Sequence, residues 1–434
     1  MPLRLLILSL STALVLSLVT VPAEADETPA EWPQYRGANR DGVSTETGLI
    51  RSWPEGSSPT ELWRRAIGPA FSGLTVDGAR LYTAESDAEG EYLLALDTRT
   101  GETIWRAQVG PAFINNFGDG PRTTPTLGDD ALFLLTGNGR LVSLDVDGKE
   151  RWAVDLQTDF AVEAMRFGFS TAPILVDEDV IVEVGASDGR SVAAFKRADG
   201  ALAWTAGEGA AAYGSPIRAN IAGKDQLVFL NRQGPLGLSP EGEVLWSFEW
   251  APDGGVKPAL PIFVPPNLLF FSASYDIGAL ALRLEKGDDG IEAQQAWQSR
   301  VMRNHFNSSV LVGETLYGFD NSSLKAINPR TGEQLWAKRG RLGKGSLIAA
   351  DGLLIVLSEK GQLMLVEANP EEYRQLASAQ VLSGRCWTSP TLASGRLYLR
   401  NREELLALDL LNAPSPAEAS EPASTGQDTS EESK

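Results

Sequence analysis

Hydrophobic and polar residues alternate along many short segments of this chain, and each segment ends at a turn rich in glycine, asparagine or aspartate. Examples are "LLALD" (93–97), "LVSLD" (141–145) and "LKAIN" (324–328). A period of two residues between such turns is typical of β-strands. Helical periodicity of useful length is found only in the first 25 residues. The pattern therefore predicts an all-β fold.

These segments recur as a unit of roughly 40–50 residues. A polar strand, such as "TTPTL" (123–127), "STAPILV" (170–176), "YGSPIRA" (213–219) or "TSPTL" (388–392), is followed by an apolar strand, an alternating strand, a glycine turn and a tryptophan strand. One further step along the repeat falls near Ala377, where the tryptophan is missing. We interpret the recurring tryptophans as architectural side chains: Trp63, Trp105, Trp152, Trp204, Trp246, Trp297 and Trp336.

Four strands per unit predict the blade of a β-propeller. Eight first strands are expected, near residues 72, 123, 170, 213, 259, 306, 345 and 387. The last unit (387–411) has only three strands, whereas "ELWRRAIG" (61–68) is a fourth strand without the preceding three. We predict that these fragments form one blade, because ring closure leaves no sheet edge exposed. The prediction is an eight-bladed β-propeller over residues 61–411.

The two ends of the chain differ from the repeat. Arg4, the apolar run 5–19 and "AEA" (23–25) predict a cleaved signal peptide over 1–25, without a cysteine for a lipid anchor. The protein is therefore expected to be periplasmic or secreted, and no later segment is expected to span a membrane. A lead segment, 26–60, precedes the ring, and its "WPQYRG" stretch (32–37) is predicted either to pack over one face or to plug the funnel. The acidic tail 412–434 is predicted to be disordered.

Charge and composition exclude several classes of function. The formal net charge of −19 argues against nucleic acid as a partner and against binding to anionic membranes. A single cysteine, Cys386, allows no internal disulfide, and one cysteine with one histidine cannot form a zinc cluster. A Ser–His–Asp triad would have to use His305. We expect a monomer.

Basic residues precede the polar strand in several units, although the chain is acidic overall. Because polar strands line the funnel of a propeller, these side chains are expected to gather at one mouth. Each cation there either pairs with a neighbouring carboxylate, caps a loop or binds a ligand. Arginine suits carboxylate, phosphate and sugar-acid groups, and aromatic rings stack on a sugar or a quinone. The predicted ligand site comprises Arg122, Arg166, Phe167, Tyr213, Arg303, His305, Asn307, Lys344, Arg385 and Trp387.

The repeats "LALDTRTGETIW" (94–105) and "KAINPRTGEQLW" (325–336) resemble those of the PQQ-like β-propeller family. That family includes quinoprotein alcohol dehydrogenases, which hold pyrroloquinoline quinone (PQQ) and Ca²⁺ in the funnel, and BamB-like outer-membrane assembly factors, which bind no cofactor. The segments "EWPQYRGANRDGVS" (31–44) and "GRCWTSPTLASGRLYLRN" (384–401) are similar to a subgroup of secreted bacterial members.

The resemblance implies two different kinds of activity. The dehydrogenases carry a vicinal cysteine pair and bind Ca²⁺ through Glu, Asn and Asp, whereas this chain has only Cys386 and no acidic residue in its polar strands. We therefore expect a non-catalytic binding or assembly scaffold, with a protein or a polar or anionic ligand, including a carbohydrate, as its partner. PQQ and Ca²⁺ are disfavoured as cofactors. A PQQ-dependent oxidoreductase with a divergent site and a glycan-binding module are the alternatives.

Overall fold

The computed structural model describes residues 32–251, 257–340 and 342–412. Within these ranges the chain forms eight four-stranded antiparallel sheets and one short helix, so the predicted eight-bladed β-propeller is confirmed. The predicted signal peptide and residues 413–434 of the predicted tail lie outside the described residues. No helix in the described part of the chain is long and apolar enough to cross a membrane.

The blades follow one another in chain order. The first strand, β1 (Glu61–Ala66), belongs to the last blade. Blades one and two contain β2 (Thr75–Asp77), β3 (Arg80–Ser86), β4 (Glu91–Asp97), β5 (Thr103–Gly110), β6 (Thr126–Leu127), β7 (Ala131–Leu135), β8 (Arg140–Asp145) and β9 (Glu150–Asp155). After helix α1 (Leu156–Phe160), blades three and four contain β10 (Ile174–Val176), β11 (Asp179–Glu183), β12 (Val192–Lys196), β13 (Leu202–Ala206), β14 (Ile217–Ile221), β15 (Lys224–Leu230), β16 (Pro235–Leu238) and β17 (Val244–Ser247).

The second half of the ring repeats the same order. Blades five and six contain β18 (Ile262–Val264), β19 (Leu268–Ala273), β20 (Gly278–Lys286), β21 (Ile291–Ser299), β22 (Val310–Val312), β23 (Thr315–Asp320), β24 (Ser323–Ile327) and β25 (Gln334–Lys338). Blades seven and eight contain β26 (Ser346–Ala350), β27 (Leu353–Leu357), β28 (Gln362–Glu367), β29 (Gln375–Gln380), β30 (Thr391–Ala393), β31 (Arg396–Arg400) and β32 (Glu404–Asp409).

Strand β1 closes the ring as predicted. It pairs antiparallel with β32, with Trp63 opposite Ala407, and the sheet order is β1-β32-β31-β30. The N-terminal strand thereby supplies the missing fourth strand of blade eight. The two ends of the propeller are thus joined by the backbone ladder between β1 and β32.

The inner strands begin later than the polar segments predict. β6 contains only Thr126 and Leu127 of the segment 123–127, and β14 begins at Ile217 rather than Tyr213. The reason is the proline in these segments, such as Pro125, which has no N–H to donate to a ladder. The prolines serve another contact, since Thr75 Oγ1 donates to Pro125 O at 2.5 Å and Thr126 Oγ1 to Pro173 O at 2.7 Å. Threonine and proline thus link the inner strands of neighbouring blades.

The outer-strand tryptophans contact the next blade along the ring. The indole N–H of Trp63 donates to Thr98 O at 3.0 Å, in the turn between β4 and β5. Trp105, Trp152, Trp297 and Trp336 donate to the corresponding turns, at Val146 O, Arg197 O, Pro329 O and Asn369 O. Trp246 differs, because it donates to Gln226 Oε1 within its own blade. Trp204 Nε1 has no partner in the described part of the chain.

The glycine of the "TGE" turn leaves room for the tryptophan of the preceding blade. A Cβ on Gly101 would lie 2.6 Å from the Trp63 ring, and the residue has a φ of +72°. No residue other than glycine satisfies both requirements without strain. This contact explains why the turn and the tryptophan recur together along the sequence.

Replacing Gly101 by alanine is therefore expected to lower the free energy of unfolding by about 3 kcal/mol, because an overpacked ring contact adds to left-handed strain. Gly56→Ala is the matched control, since Gly56 has a φ of +82° with nothing within 4 Å of its Cβ position. It should cost about 1 kcal/mol. Urea unfolding of both variants measures the difference, and equal losses would show that Trp63 does not press on this turn.

Blade seven has Ala377 where the other blades carry tryptophan. Ala377 lies opposite Leu365 beside a bulge, as Trp105 lies opposite Ala95. The next blade has no turn between its third and fourth strands, because its fourth strand is β1. The lead segment fills this junction: Ile50 N donates to Leu410 O at 2.8 Å, and the buried Trp53 donates from Nε1 to Ser378 O at 3.1 Å.

Residues 32–44 of the lead segment form a plug across one end of the central channel. Trp32 exchanges backbone hydrogen bonds with Val76 of β2, Pro33 O accepts from Leu127 N, and Ala349 O accepts from Ser44 N. The plug therefore touches the inner strands of blades one, two and seven. Of the two arrangements that the sequence leaves open, the structure has the second, a plugged funnel.

Two buried arginines anchor the plug to further blades. Arg36 Nη2 donates to Ser309 O at 2.8 Å, ahead of β22. Arg40 donates to Ala172 O at 2.9 Å and Pro173 O at 2.8 Å, ahead of β10. Both side chains are almost completely buried. Their guanidinium groups occupy the centre of the ring. The inner strands are short there and leave carbonyl oxygens without a partner in the sheet.

Candidate functional site

The segments that precede the inner strands surround a cavity at the end of the channel opposite the plug. This mouth cavity has a volume of about 470 Å³, and Tyr35 of the plug forms part of its lining. Eight of the ten predicted ligand-site residues line it: Arg122, Arg166, Phe167, Tyr213, His305, Asn307, Lys344 and Trp387. The structure places the other two, Arg303 and Arg385, outside this lining.

Arg303 is engaged in ion pairs. Its Nε and Nη2 donate to the two carboxylate oxygens of Asp320 at 2.6 and 3.0 Å, and its Nη1 donates to Asp276 at 2.7 Å. The hydrogen bonds to Asp320 raise the pKa of Arg303. Asp320 is buried at the end of β23, 17 residues further along the chain. Arg303 therefore acts as the partner of a buried carboxylate.

Arg385 lies beside the cavity, behind one of its walls. Its guanidinium carbon is 4.3 Å from the centre of the Trp387 ring, and Nη1 donates to Phe117 O at 2.9 Å. These two contacts hold the loop around Phe117 against blade eight. Arg385 contributes positive charge near the cavity without facing it.

Arg122 lines the cavity, and all three nitrogens of its guanidinium donate hydrogen bonds to backbone carbonyls. Its Nε donates to Phe167 O at 2.8 Å, and its other nitrogens donate to Gly118 O and Gly120 O. Burial lowers the pKa of Arg122 to about 10, although Glu91 acts in the opposite direction. The side chain stabilises the long loop between β5 and β6, since two of its hydrogen bonds go to carbonyls of that loop.

Arg166 and Lys344 are the lining cations whose side chains make no hydrogen bond or ion pair within the described part of the chain. The Arg166 guanidinium lies 5.0 Å from the centre of the Phe167 ring. Lys344 Nζ lies 5.0 Å from the ring centre of Phe306 and 5.7 Å from that of Trp387. Desolvation lowers the pKa of Lys344, and Arg385 adds to this effect while Glu359 opposes it.

Aromatic rings form two opposite walls of the cavity. On one side Trp387 lies between Phe71, at 5.4 Å between ring centres, and Phe306, at 4.1 Å. On the other side Phe167 contacts Phe117 at 5.1 Å and Tyr213 at 5.6 Å. Rings at these separations attract one another beyond the area that they bury.

The sequence prediction missed five aromatic lining residues: Tyr35, Phe71, Phe117, Tyr275 and Phe306. Phe71 and Phe306 directly precede polar segments, so their position in the repeat could have identified them as lining residues. Phe117 and Tyr275 lie in loops of unequal length that the repeat does not align. Tyr35 reaches the cavity from the plug, outside the repeat.

His305 is buried between two rings, with 6% of its surface exposed. It contacts Phe306 at 4.0 Å and Tyr275 at 4.9 Å between ring centres. Neither ring nitrogen has a hydrogen-bond partner in the described part of the chain. Desolvation and the nearby Lys344 lower its pKa to about 4. The imidazole is therefore neutral near pH 7 and has no orienting carboxylate, so it does not belong to a Ser–His–Asp triad.

The buried neutral imidazole predicts a specific pH dependence. The pKa of His305 falls from 6.5 to about 4 on folding, so the unfolded chain binds a proton that the folded protein does not, and stability is lost as the pH drops from 6.5 towards 4. His305→Phe removes this loss. Relative to the wild type, the variant should gain roughly 2 kcal/mol between pH 7.5 and pH 5. Urea unfolding at both pH values measures the gain, and a constant difference would contradict the buried neutral state.

A family model described as "Outer membrane protein assembly factor BamB" matches residues 89–323 and 320–413. The chain belongs to this family. No curated protein sequence matches the chain. The solved structures similar to this BamB-family protein share its fold at low sequence identity.

Three of these structures illustrate the range of proteins with this fold. BamB from Moraxella catarrhalis has a TM-score of 0.58 and 14% identity, covering 81% of this chain and 98% of that one. Quinohemoprotein alcohol dehydrogenase from Comamonas testosteroni has a TM-score of 0.63 and 12% identity, covering 89% and 82%. The computationally designed Ika8 protein has a TM-score of 0.56 and 12% identity, covering 83% and 100%.

The mouth cavity of this BamB-family protein does not fit a calcium-dependent quinone. Ca²⁺ takes six or more oxygen ligands, usually including carboxylates, and no Asp or Glu lines the cavity. Across the described ranges, no cluster of three or more His, Cys, Asp or Glu residues could hold a metal. Glu359 lies behind the wall, where its Oε1 accepts from Trp387 Nε1 at 2.8 Å.

Proposed function

We propose that the protein is a non-catalytic binding protein of the bacterial cell envelope, periplasmic or secreted, which takes up a polar or anionic ligand in its mouth cavity. The signal peptide predicted over residues 1–25 and membership of the BamB family support this location. One observation carries the proposal. The cavity holds two cations without hydrogen-bond partners, between aromatic walls and with no lining carboxylate.

The chemistry of the lining favours binding over catalysis. A general base must lie within hydrogen-bond reach of the group that it activates, and His305 has no such neighbour. Lys344 is flanked by the rings of Phe306 and Trp387, and the nearby His305 is neutral and shares no hydrogen bond with it. Unpaired cations beside aromatic rings are instead suited to attract an anion and to hold an apolar body.

The plug supports a binding cavity rather than a passage. Residues 32–44 cross the channel and contact inner strands around the ring, and Tyr35 lies at the base of the cavity. A ligand would enter and leave through the same mouth. Such a blind cavity favours retention over transport through the channel.

A protein-assembly scaffold is the second candidate function. Family membership supports it, and so do three exposed apolar side chains on loops near the mouth: Ile114, Phe117 and Tyr275, which are 71%, 50% and 54% exposed. Exposed apolar clusters of this kind are common at protein interfaces. In this reading the loops bind a partner, and the cavity receives a side chain of that partner.

Thermal unfolding of the purified protein tests the proposal against the quinoprotein alternative. A ligand that binds only the folded state stabilises it by RT ln(1 + [L]/Kd), about 2.7 kcal/mol at a hundredfold excess over Kd. We expect stabilisation by members of a panel of organic anions in the presence of EDTA. A shift that requires PQQ and Ca²⁺ together would overturn the non-catalytic reading. No shift with any anion would favour the scaffold, which copurification of a partner then tests.

A further inference from the structure

Three polar groups without side-chain partners lie on one side of the mouth cavity, whereas Arg166, the other unpaired cation of the lining, lies exposed beside Phe167 on the opposite side. His305 precedes β22 of blade six, Lys344 precedes β26 of blade seven and Ser389 precedes β30 of blade eight, so they come from three consecutive blades. Phe167 and Tyr213 precede β10 and β14, on the opposite side of the ring. The buried polar groups therefore share the first side with the rings of Phe306 and Trp387, and the second side carries the rings of Phe167 and Tyr213 with the exposed Arg166 at its edge.

The polar side is built from buried groups. His305 and Ser389 are 6% and 8% exposed, and neither their ring nitrogens nor the Ser389 hydroxyl has a hydrogen-bond partner in the described part of the chain. Buried polar groups without partners destabilise a folded protein, and native structures contain few of them. Two such residues in the same cavity lining as Lys344 point to a polar group that a ligand supplies.

Lys344 favours a negative charge on the polar group of the ligand. Its ammonium is the cation among these three side chains, and it lies between Phe306 and Trp387 with no carboxylate in hydrogen-bond contact. An ammonium is a compact charge with three donors, and it binds a carboxylate by charge-assisted hydrogen bonds. A carboxylate accepts hydrogen bonds from an ammonium, a hydroxyl and an imidazole N–H alike.

The rest of the lining favours an aromatic body over a sugar. Three other hydroxyls of the lining each make one hydrogen bond, which leaves only part of their capacity for a ligand: Ser170 Oγ donates to Tyr213 O, and Ser215 Oγ and Thr124 Oγ1 accept from Ala172 N and Gly73 N. Asn307 Nδ2 donates to Trp387 O at 3.2 Å. A sugar ring presents several hydroxyls, and each of them needs a partner once desolvated. A flat apolar ring needs only the aromatic walls.

We infer that the mouth cavity binds an aromatic carboxylate without a metal ion, with the carboxylate towards Lys344, His305 and Ser389 and the ring towards Phe167 and Tyr213. This inference rests on the proposed function and names the ligand class for the same site. Lys344, Ser389 and His305 offer hydrogen-bond donors to an anion, whereas a calcium-dependent ligand would need a site rich in oxygen atoms that coordinate the metal. The absence of lining carboxylates is thus part of the recognition of an anion.

Isothermal titration of the full-length protein in EDTA tests the inference. The probe is 2-naphthoate, and the comparison ligands are 2-naphthylmethanol, which keeps the ring without the charge, and D-glucuronate, which keeps the carboxylate without the aromatic ring. We expect 2-naphthoate to bind at least ten-fold more tightly than either, because a charge-assisted hydrogen bond contributes about that factor or more. Lys344→Met should remove the preference for naphthoate over naphthylmethanol.

Matched variants keep the result interpretable. Lys360→Met is the control, because Lys360 is an exposed lysine of the same blade that does not line the cavity, and it should leave all three affinities unchanged. Ser389→Ala is a second, milder variant and should weaken naphthoate binding several-fold. Its result decides the inference if Lys344→Met fails to fold.

The contrary outcomes separate the inference from the proposed function. Equal binding of naphthoate and naphthylmethanol, or tighter binding of glucuronate, would overturn the aromatic carboxylate while leaving a ligand-binding cavity. Naphthoate binding that Lys344→Met and Ser389→Ala leave unchanged would place the ligand elsewhere and would also overturn the inference. No binding of any of the three probes to folded wild-type protein would overturn it as well, and the wider anion panel would then decide the proposed function.

Discussion

Trp53→Ala is expected to lower the free energy of unfolding by about 3–5 kcal/mol, the usual loss for a buried tryptophan truncated to alanine. Trp53 is buried with Ala377 in the core between blades seven and eight, and its indole N–H donates to Ser378 O at 3.1 Å. The loss of free energy of unfolding should exceed that for truncating an exposed side chain of the lead segment, because no turn of blade eight can fill the space that Trp53 leaves. Urea unfolding monitored by far-UV circular dichroism measures it.

A double substitution tests whether Trp53 takes the place of the missing repeat tryptophan. Ala377→Trp alone should destabilise the protein by about 1–3 kcal/mol, because it adds a ring to a filled junction. In the Trp53→Ala background the same substitution should cost less or restore stability, so the two changes are expected to couple by more than 1 kcal/mol. Additive losses would show that the two side chains occupy separate spaces. Trp53→Phe is the conservative control and should retain most of the stability.

The number and closure of the blades could be predicted because both depend on local sequence order. Alternating strands, turn residues and the recurring tryptophan define each blade within about 50 residues, and the incomplete units at 61–68 and 387–411 reveal the pairing of β1 with β32. The starts of the inner strands were placed too early. The polar segments before them line the channel, but their prolines, such as Pro125, cannot donate to a ladder.

The candidate site was predictable only where the repeat aligns it. Arg166, Lys344 and Trp387 were found because they stand at equivalent places before inner strands. The role of Arg303 depends on Asp276 and Asp320, and the sequence pattern gives no sign of those distances. The hydrogen bonds of Arg122 to carbonyls of its own loop depend on how that loop folds back, which residue types do not reveal. Only the partners of each side chain distinguish the cations that are available to a ligand from those that stabilise the fold.

The plug also depends on contacts that the local sequence does not contain. "WPQYRGANRDG" has turn-like composition, and two arginines in such a segment would ordinarily be exposed. Arg40 is instead buried, because the inner strands present Ala172 O and Pro173 O at the centre of the ring. Its guanidinium offers several N–H groups in one plane, and few other side chains could satisfy acceptors from both the propeller and the plug.

Arg40→Met is accordingly expected to lower the free energy of unfolding by about 3 kcal/mol. Two effects oppose each other. Burial lowers the pKa of Arg40 to about 9, so an apolar replacement is relieved of some desolvation. However, Ala172 O and the partly buried Gln34 Oε1 lose donors at 2.9 and 3.1 Å, and a buried acceptor left without a donor, such as Ala172 O, costs about 1–3 kcal/mol. Pro173 O keeps a donor in Thr126 Oγ1. We expect the loss of donors, together with the loosened plug, to dominate.

Arg51→Met is the matched control for this prediction. Arg51 belongs to the same lead segment, but it is about half exposed, and its ion pair with Asp351 at 3.3 Å lies at the surface. Exposed pairs contribute about 1 kcal/mol or less, so this variant should remain close to the wild type. Hydrogen exchange at the amides of Trp32, Leu127 and Ala349, which bond within or against the plug, should accelerate in Arg40→Met alone. If Arg40→Met exchanges like the wild type and unfolds with the same midpoint, the buried guanidinium does not hold the plug, and the backbone contacts of residues 32–44 suffice to close the channel.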